Sequence, residues 1–394
     1  MKKIPLYGSL SALPDDYVFA RTAKRKKEYM LAHPDVEIID LGIGDVTGPL
    51  PRAAATELSK AVLEQSEKAS FRGYGPYEGY EFCRKAVSDY YFRRTGVKVP
   101  EGDIFIGDGA KSAIMRLMLM FESEIVVFSP AYPAYADCAA ALGKKVKTVT
   151  RSAQGDFQPR PDSLALKPYL VILCSPDNPT GTAIKREVMR DWLEFCRKSG
   201  SAILFDAAYE NFCAEEGVFS AYMQDGMKDY AVEIGSLSKS ACFTGLRGGW
   251  TVIPSEIADG RLKKAYEHML AATYNGCPYV VQRAMSGALS KDGDSERSAI
   301  KNEIRSAAKI LSLALASVGF GVTNSDNSPY IWAEKPKELT KVDSFEYFIG
   351  NLGIAITPGE GFGKEWSDFI RLSVLGGEKA ATAAARRIIA HFKE

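Results

Sequence analysis

Histidine is scarce in this chain: His33, His268 and His391 are the only three in 394 residues, and none sits in a glycine-rich or acidic cluster. Enzymes that depend on imidazole, whether serine or cysteine hydrolases or zinc enzymes, are therefore poor candidates. Charge of one sign is lacking too. The formal net charge is +1, so no general pull toward nucleic acid or an anionic membrane is expected. No apolar run approaches a membrane span, and MKKIPLYGSLSALPDDYVF has a basic start without an apolar core of signal-peptide length. A cytoplasmic protein is expected. The seven cysteines, scattered from Cys83 to Cys277, form no CxxC pair. That argues against a disulfide framework or a zinc site and for reduced core thiols.

What the chain does have is length enough for two domains and a repeated alternation of strand and helix. DIFIGD, EIVVFSP, KVKTVT, YLVILCSP, SAILFDAAY, YAVEIGS and GGWTVIP are short apolar runs, and amphipathic stretches such as KREVMRDWLEFCRKSG lie between several of them. Continuous apolar strands separated by helices indicate an α/β fold, with a mostly parallel seven-stranded sheet covered on both faces. We assign it to a large domain over residues 45–289. The polar stretch SKDGDSER then reads as a solvated linker, its Asp292 and Asp294 too incomplete for a calcium loop. After a long helix from about Ala299 to Ser317, strands are expected over Gly319–Thr323, Tyr330–Glu334, Ile354–Thr357 and Phe369–Val374, with helices over Ser344–Asn351 and Glu378–Phe392. This is a smaller α+β domain, residues 290–394, and residues 1–44, with one helix over Val18–Ala32, are expected to join it or to pack on a partner subunit.

In such sheets ligands collect beyond the carboxyl ends of the strands, and four clusters fall there. In GSLSKSACFTGLRGG, Lys239 stands among small residues eight positions before Arg247. Partial desolvation and a neighbouring cation both favour a neutral, nucleophilic amine, although a solvated loop lysine fits the stretch alone equally well. Asp206 closes the apolar run of SAILFDAAY, with Tyr209 three residues on; such a carboxylate needs a partner, or it serves as a helix N-cap. In CSPDNPTG a rigid turn presents Asn178, whose amide suits a ring hydroxyl or a ligand-free Asx turn. In GDGAKSAIM a glycine-rich turn opens a helix whose first amides include Ala110 and Lys111, a phosphate-binding arrangement.

The order of phosphate turn, aromatic, asparagine turn, aspartate, lysine and arginine, above all SPDNPTG and SLSKSACFTGLRGGW, resembles the fold-type I pyridoxal-phosphate enzymes, specifically the class I/II aminotransferases, over nearly the whole chain. The resemblance implies pyridoxal 5'-phosphate bound covalently by Lys239, which then moves the substrate's α-proton. It implies that Asp206 pairs with the pyridine nitrogen, that Asn178 and Tyr209 hold the ring oxygen, and that Tyr132 of SPAYPAY stacks on the ring. Ala110, Lys111, Ser236, Ser238 and Arg247 match phosphate-binding positions, and Arg371 in DFIRLSVLG matches the arginine that grips a substrate α-carboxylate.

LGIGDVTGPLP, FRGYGPYEGYEFCRKAV, FTGLRGGWTVIP, YNGCPYVVQ and ITPGEGFG are similar to segments of the LL-diaminopimelate aminotransferases of the lysine and cell-wall pathway. This implies a homodimer in which the neighbouring subunit supplies Tyr74 and Asn275, with Gly44, Tyr7 and Tyr17 close to the substrate. Three places depart: where that family carries an acidic side chain that helps recognise the distal end of the substrate, this chain has Tyr77, followed by Glu78; Gly48 stands where the family has a leucine-like residue; and NGCP replaces NGAS-like text. The cofactor chemistry is untouched, while another amino donor stays open. β-Elimination or decarboxylation on the same scaffold, and a binding protein that has lost turnover, are the rival expectations.

Overall fold

The computed structural model describes residues 7–14, 17–214, 216–323 and 326–393. The strands in chain order are β1 (Ile39–Asp40), β2 (Ile104–Gly107), β3 (Glu124–Ser129), β4 (Val146–Thr150), β5 (Tyr169–Cys174), β6 (Ala202–Asp206), β7 (Ala231–Ser236), β8 (Gly249–Val252), β9 (Gly321–Val322), β10 (Tyr330–Glu334), β11 (Ile354–Ala355), β12 (Thr357–Pro358) and β13 (Phe369–Ser373). Seven of them form one sheet in the order β2-β8-β7-β6-β5-β3-β4. β8 runs antiparallel to both neighbours and every other pairing is parallel.

Both faces of the sheet's centre are covered, which is why β5 is apolar and buried at every position, while the edge strand β4, VKTVT, is nowhere fully buried. Leu170, Ile172 and Cys174 of β5 enter one core layer while Tyr169, Val171 and Leu173 enter the other, the period-two alternation of a pleated strand. Helices close the layers. In Arg186–Ser199 the side chains of Val188, Trp192 and Phe195 are buried, and Gly200 ends the helix at φ 71°, a left-handed cap that glycine takes without a steric cost. Asp206 lies two positions beyond Leu204 on β6, and Ser236 two beyond Ile234 on β7, so both reach the carboxyl edge on the same face.

A four-stranded antiparallel sheet in the order β12-β13-β10-β9 forms a second unit. The N-terminal segment joins it: β1 pairs in parallel with β11, and Arg25, on the expected helix Val18–Ala32, bonds Asp343 at 2.8 Å and Glu346 at 2.6 Å.

Two local expectations are corrected. SKDGDSER is not a linker but the opening of the helix Lys291–Ala316. Ser290 caps it by accepting from the Gly293 amide at 3.1 Å, and the carboxylates of Asp292 and Asp294 stand in the first turn, where the helix dipole favours them. Asp294 also binds Arg93 at 2.7 Å and Arg297 at 2.5 Å. The run Ile354–Thr357 is two strands, not one, because β11 pairs with β1 and β12 with β13.

Candidate active site

A cavity of about 240 Å³ opens at the carboxyl ends of β5, β6 and β7, lined by Tyr132, Asn178, Asp206, Tyr209, Lys239 and Arg247 among others. It is not the largest. Cavities of about 550 and 400 Å³ lie elsewhere, the first bounded by Phe157, Gln158 and Lys185 and the second meeting this one only through Lys239. The smaller cavity is the candidate because the chemistry converges on it.

Asp206 sits at its floor, 3% exposed. Tyr135 donates to Oδ2 at 2.7 Å and the Ala208 amide to Oδ1 at 3.0 Å. Among the described residues it has no cationic partner, and burial pushes its carboxyl above the usual range. Lys239, in the turn after β7, donates through Nζ to the Gly44 carbonyl, so two segments far apart in sequence meet at the amine.

At one end of the cavity, Arg247 Nη1 donates to Ser238 Oγ at 3.3 Å and Ser236 Oγ to Ser238 Oγ at 3.0 Å. The helix Ala110–Leu119 points its first turn here, with no side chain capping it, behind Gly109 at φ 103°. A Cβ at Gly109 would collide with the Arg247 guanidinium, so the glycine serves both the positive φ and the close approach. A guanidinium, two hydroxyls and free amides form an anion site. At the mouth, the Lys111 ammonium lies 5.0 Å from the Tyr17 ring centre and 5.7 Å from that of Tyr132. Burial pushes the Tyr132 phenol up to about 12.

Behind Asn178, outside the cavity's own lining, lies Arg371 on β13, 1% exposed. Nη1 donates to Asn178 Oδ1 at 3.0 Å and Nη2 to the Gly42 carbonyl at 2.7 Å, while Nε has no partner among the described residues. No carboxylate of the described residues pairs with it, and burial lowers its pKa. Asn178 Nδ2 in turn donates to Tyr209 Oη at 3.4 Å. An uncompensated buried anion thus faces the cavity, and an uncompensated buried cation stands one side chain behind it at Asn178, each costly unless a ligand supplies the missing charge.

Seven of the expected residues, Tyr7, Tyr17, Gly44, Tyr74, Tyr77, Asn275 and Arg371, lie outside this cavity's lining. Tyr74 is 90% exposed, Asn275 is exposed, and Tyr77 is half-buried. Gly276 packs against Pro76 and Tyr77, so the GYGPY and YNG segments meet at one surface. Tyr7 is 66% exposed, with its hydroxyl beside Gly143. Sequence reasoning missed Tyr135, three residues after Tyr132 in the same motif, and Tyr330, whose hydroxyl lies 3.1 Å from that of Tyr209. For Tyr330 no local signal exists, because the contact crosses between the two sheets.

A seven-stranded α/β sheet with lysine, aspartate and arginine converging at its carboxyl edge defines a class of group-transfer enzyme, and comparison with known proteins agrees. The family model described as aminotransferase class I and II matches residues 36–388, and the chain belongs to that family. It is 38% identical to the LL-diaminopimelate aminotransferase of Agathobacter rectalis, covering 95% of this chain and 97% of that one. It is 35% identical to the enzyme of the same name from Bacteroides thetaiotaomicron, with coverage of 95% and 97%. A solved structure, the L,L-diaminopimelate aminotransferase of Chlamydomonas reinhardtii, superposes with a TM-score of 0.91 at 30% identity, covering 99% of both chains. The protein is therefore an aminotransferase, an enzyme that moves an amino group between an amino acid and a 2-oxo acid. Among the described residues no helix is long and apolar enough to cross a membrane, and no cluster of His, Cys, Asp and Glu could hold a metal ion.

Proposed function

We propose that this aminotransferase uses pyridoxal 5'-phosphate and takes LL-diaminopimelate as amino donor with 2-oxoglutarate as acceptor, acting as a cytoplasmic homodimer. The cofactor fits the residues present. The lone buried carboxylate of Asp206 suits a protonated pyridine nitrogen, the Arg247, Ser236 and Ser238 group with the free amides of Ala110 and Lys111 suits a phosphate, and Asn178 and Tyr209 suit a ring oxygen. Tyr132, in the cavity lining, would stack on the ring. Bound there, the cofactor supplies an electrophilic carbonyl and an electron-withdrawing ring.

This chain's own groups do the rest. Arg371 orients the donor by its α-carboxylate. Lys239 Nζ, freed from the Gly44 carbonyl, is the base that would take the α-proton and hand it on rather than back to the α-carbon, since its return would leave the amino group on the donor. Asp206 keeps the ring nitrogen protonated by its charge. The observation that carries this reading is the unpaired Asp206 carboxylate sharing one cavity with Lys239, with the unpaired Arg371 guanidinium bonded to Asn178 of the same lining. The curated relatives bearing the diaminopimelate name support the donor, and Tyr74 and Asn275, exposed and away from their own cavity, suit a partner's site. Seven free cysteines suit a reducing compartment. The division at residues 45 and 289, with residues 1–44 joined to 290–394, is our reading of where the two domains part.

A panel of amino donors with 2-oxoglutarate tests the proposal. Glutamate formed from LL-diaminopimelate in preference to acidic, aromatic and basic monoamino donors is expected. Activity confined to monocarboxylic donors would reject the assignment and implicate Tyr77.

A further inference from the structure

We propose that Tyr330 is a positioning residue that sets the hydrogen-bonding strength of Tyr209 toward the cofactor's ring oxygen; this rests on the cofactor reading above. Tyr330 opens β10, its backbone amide held by Ser328 Oγ at 3.1 Å. Three parts of the site meet around its ring. Its hydroxyl lies 3.1 Å from the Tyr209 hydroxyl, with the ring centres 5.3 Å apart and tilted by 75°. The Arg371 guanidinium carbon stands 4.4 Å over its ring centre. A Cβ on Gly44, whose carbonyl receives Lys239, would collide with the Tyr330 oxygen. Tyr330 therefore joins the small sheet to the β6 turn while touching neither floor nor mouth of the cavity.

The hydrogen-bond directions follow from counting protons. A phenol has one O–H. Burial holds the Tyr209 phenol well above its usual value, so it stays protonated. If that proton points at an anionic ring oxygen, Tyr209 can only accept from Tyr330, and Tyr330 is the donor of the pair. Accepting a hydrogen bond makes an O–H a better donor. The ring oxygen then keeps its negative charge more easily, and the proton it shares with the lysine-bound nitrogen leaves at lower pH.

Tyr330→Phe deletes the hydroxyl and keeps the ring under Arg371. The test is the pH midpoint of the visible absorption of the cofactor-loaded protein, with KM for the donor measured alongside. The midpoint is expected to rise by about half a pH unit, the scale of one modest hydrogen bond acting through an intervening oxygen, with KM unchanged. Repeated in a Tyr209→Phe background, the substitution is expected to add no further shift. An unmoved midpoint, or an equal shift without Tyr209, overturns the proposal. 3-Fluorotyrosine at position 330, a stronger donor of nearly the same size, is expected to lower the midpoint instead, and a rise there overturns it whatever the phenylalanine variant does. Wild-type protein with no visible band on cofactor addition would sink the cofactor reading itself, a different failure.

Discussion

Asp206 and Arg371 are each charged, buried and short of a counter-ion, and the consequences at the residue scale can be measured without substrate. Burial raises the Asp206 carboxyl above its ordinary value, so the folded, cofactor-free chain keeps that proton to a higher pH than the unfolded chain. The group's contribution to stability, complete below its unfolded pKa, is lost as pH rises through the folded one. Asp206→Asn should therefore be more favourable to the cofactor-free protein at neutral pH than at a pH below the ordinary carboxylate range, read by thermal melts, while abolishing most turnover of the loaded form. Equal destabilisation at both pH values would mean that the carboxylate is not strained. For Arg371, Ala and Lys variants should raise KM for the donor on the order of a hundredfold, since lysine cannot reproduce the planar fork, and should keep the cofactor colour. Loss of colour would reassign the residue. Lys239, Asp206 and Asn178 were legible because each sits in a local motif at a strand end, and Arg371 because it interrupts the apolar run of a strand. Tyr135 and Tyr330 were not, because what makes them functional is a neighbour distant in sequence.

At the scale of elements, the turns that carry Tyr132 and Asn178 are tied together by Arg151. Its guanidinium donates to the Pro130 carbonyl and to Asp177 Oδ2 at 3.0 Å, with both partners buried. Arg151→Met leaves the Asp177 carboxylate buried and unpaired, a loss of about 3–5 kcal/mol, and should also weaken cofactor binding. Arg151→Met with Asp177→Asn should recover much of the stability in urea unfolding, whereas additive losses would show that the two side chains do not act as a pair. A neighbouring strand carries its own pH signature. Glu233 on β7 accepts from Tyr91 and Ser220, and burial pushes it up to about 7. Its stabilising contribution fades as pH rises through that value, so Glu233→Gln should flatten the stability profile between mildly acidic and neutral pH. The seven strands were readable from their apolar runs. The start of the helix at Lys291 was not, because its polar first turns mimic a linker until Ser290 is seen to cap them, and the break at Ile356 depends on which sheet each half joins.

On the scale of the whole molecule, the surface where Tyr74, Tyr77 and Asn275 gather lies outside the cavity of its own chain. If those residues serve a partner's cavity, inactive Tyr74→Ala and inactive Lys239→Ala chains should complement one another. Random pairing leaves one intact site in half of the dimers, so about a quarter of wild-type activity is expected on co-expression. No recovery would confine the site to one subunit. The resemblance in the sequence pointed to this sharing, but composition and periodicity could not, since an exposed tyrosine on a single chain carries no mark of where it docks.

The account turns on Lys239 as the residue that bonds the cofactor. Borohydride reduction of protein loaded with pyridoxal phosphate, followed by peptide mapping, tests that most directly. A single modified peptide carrying the label at Lys239 is expected; a label on another lysine, or none at all with the cleft saturated, would contradict the account.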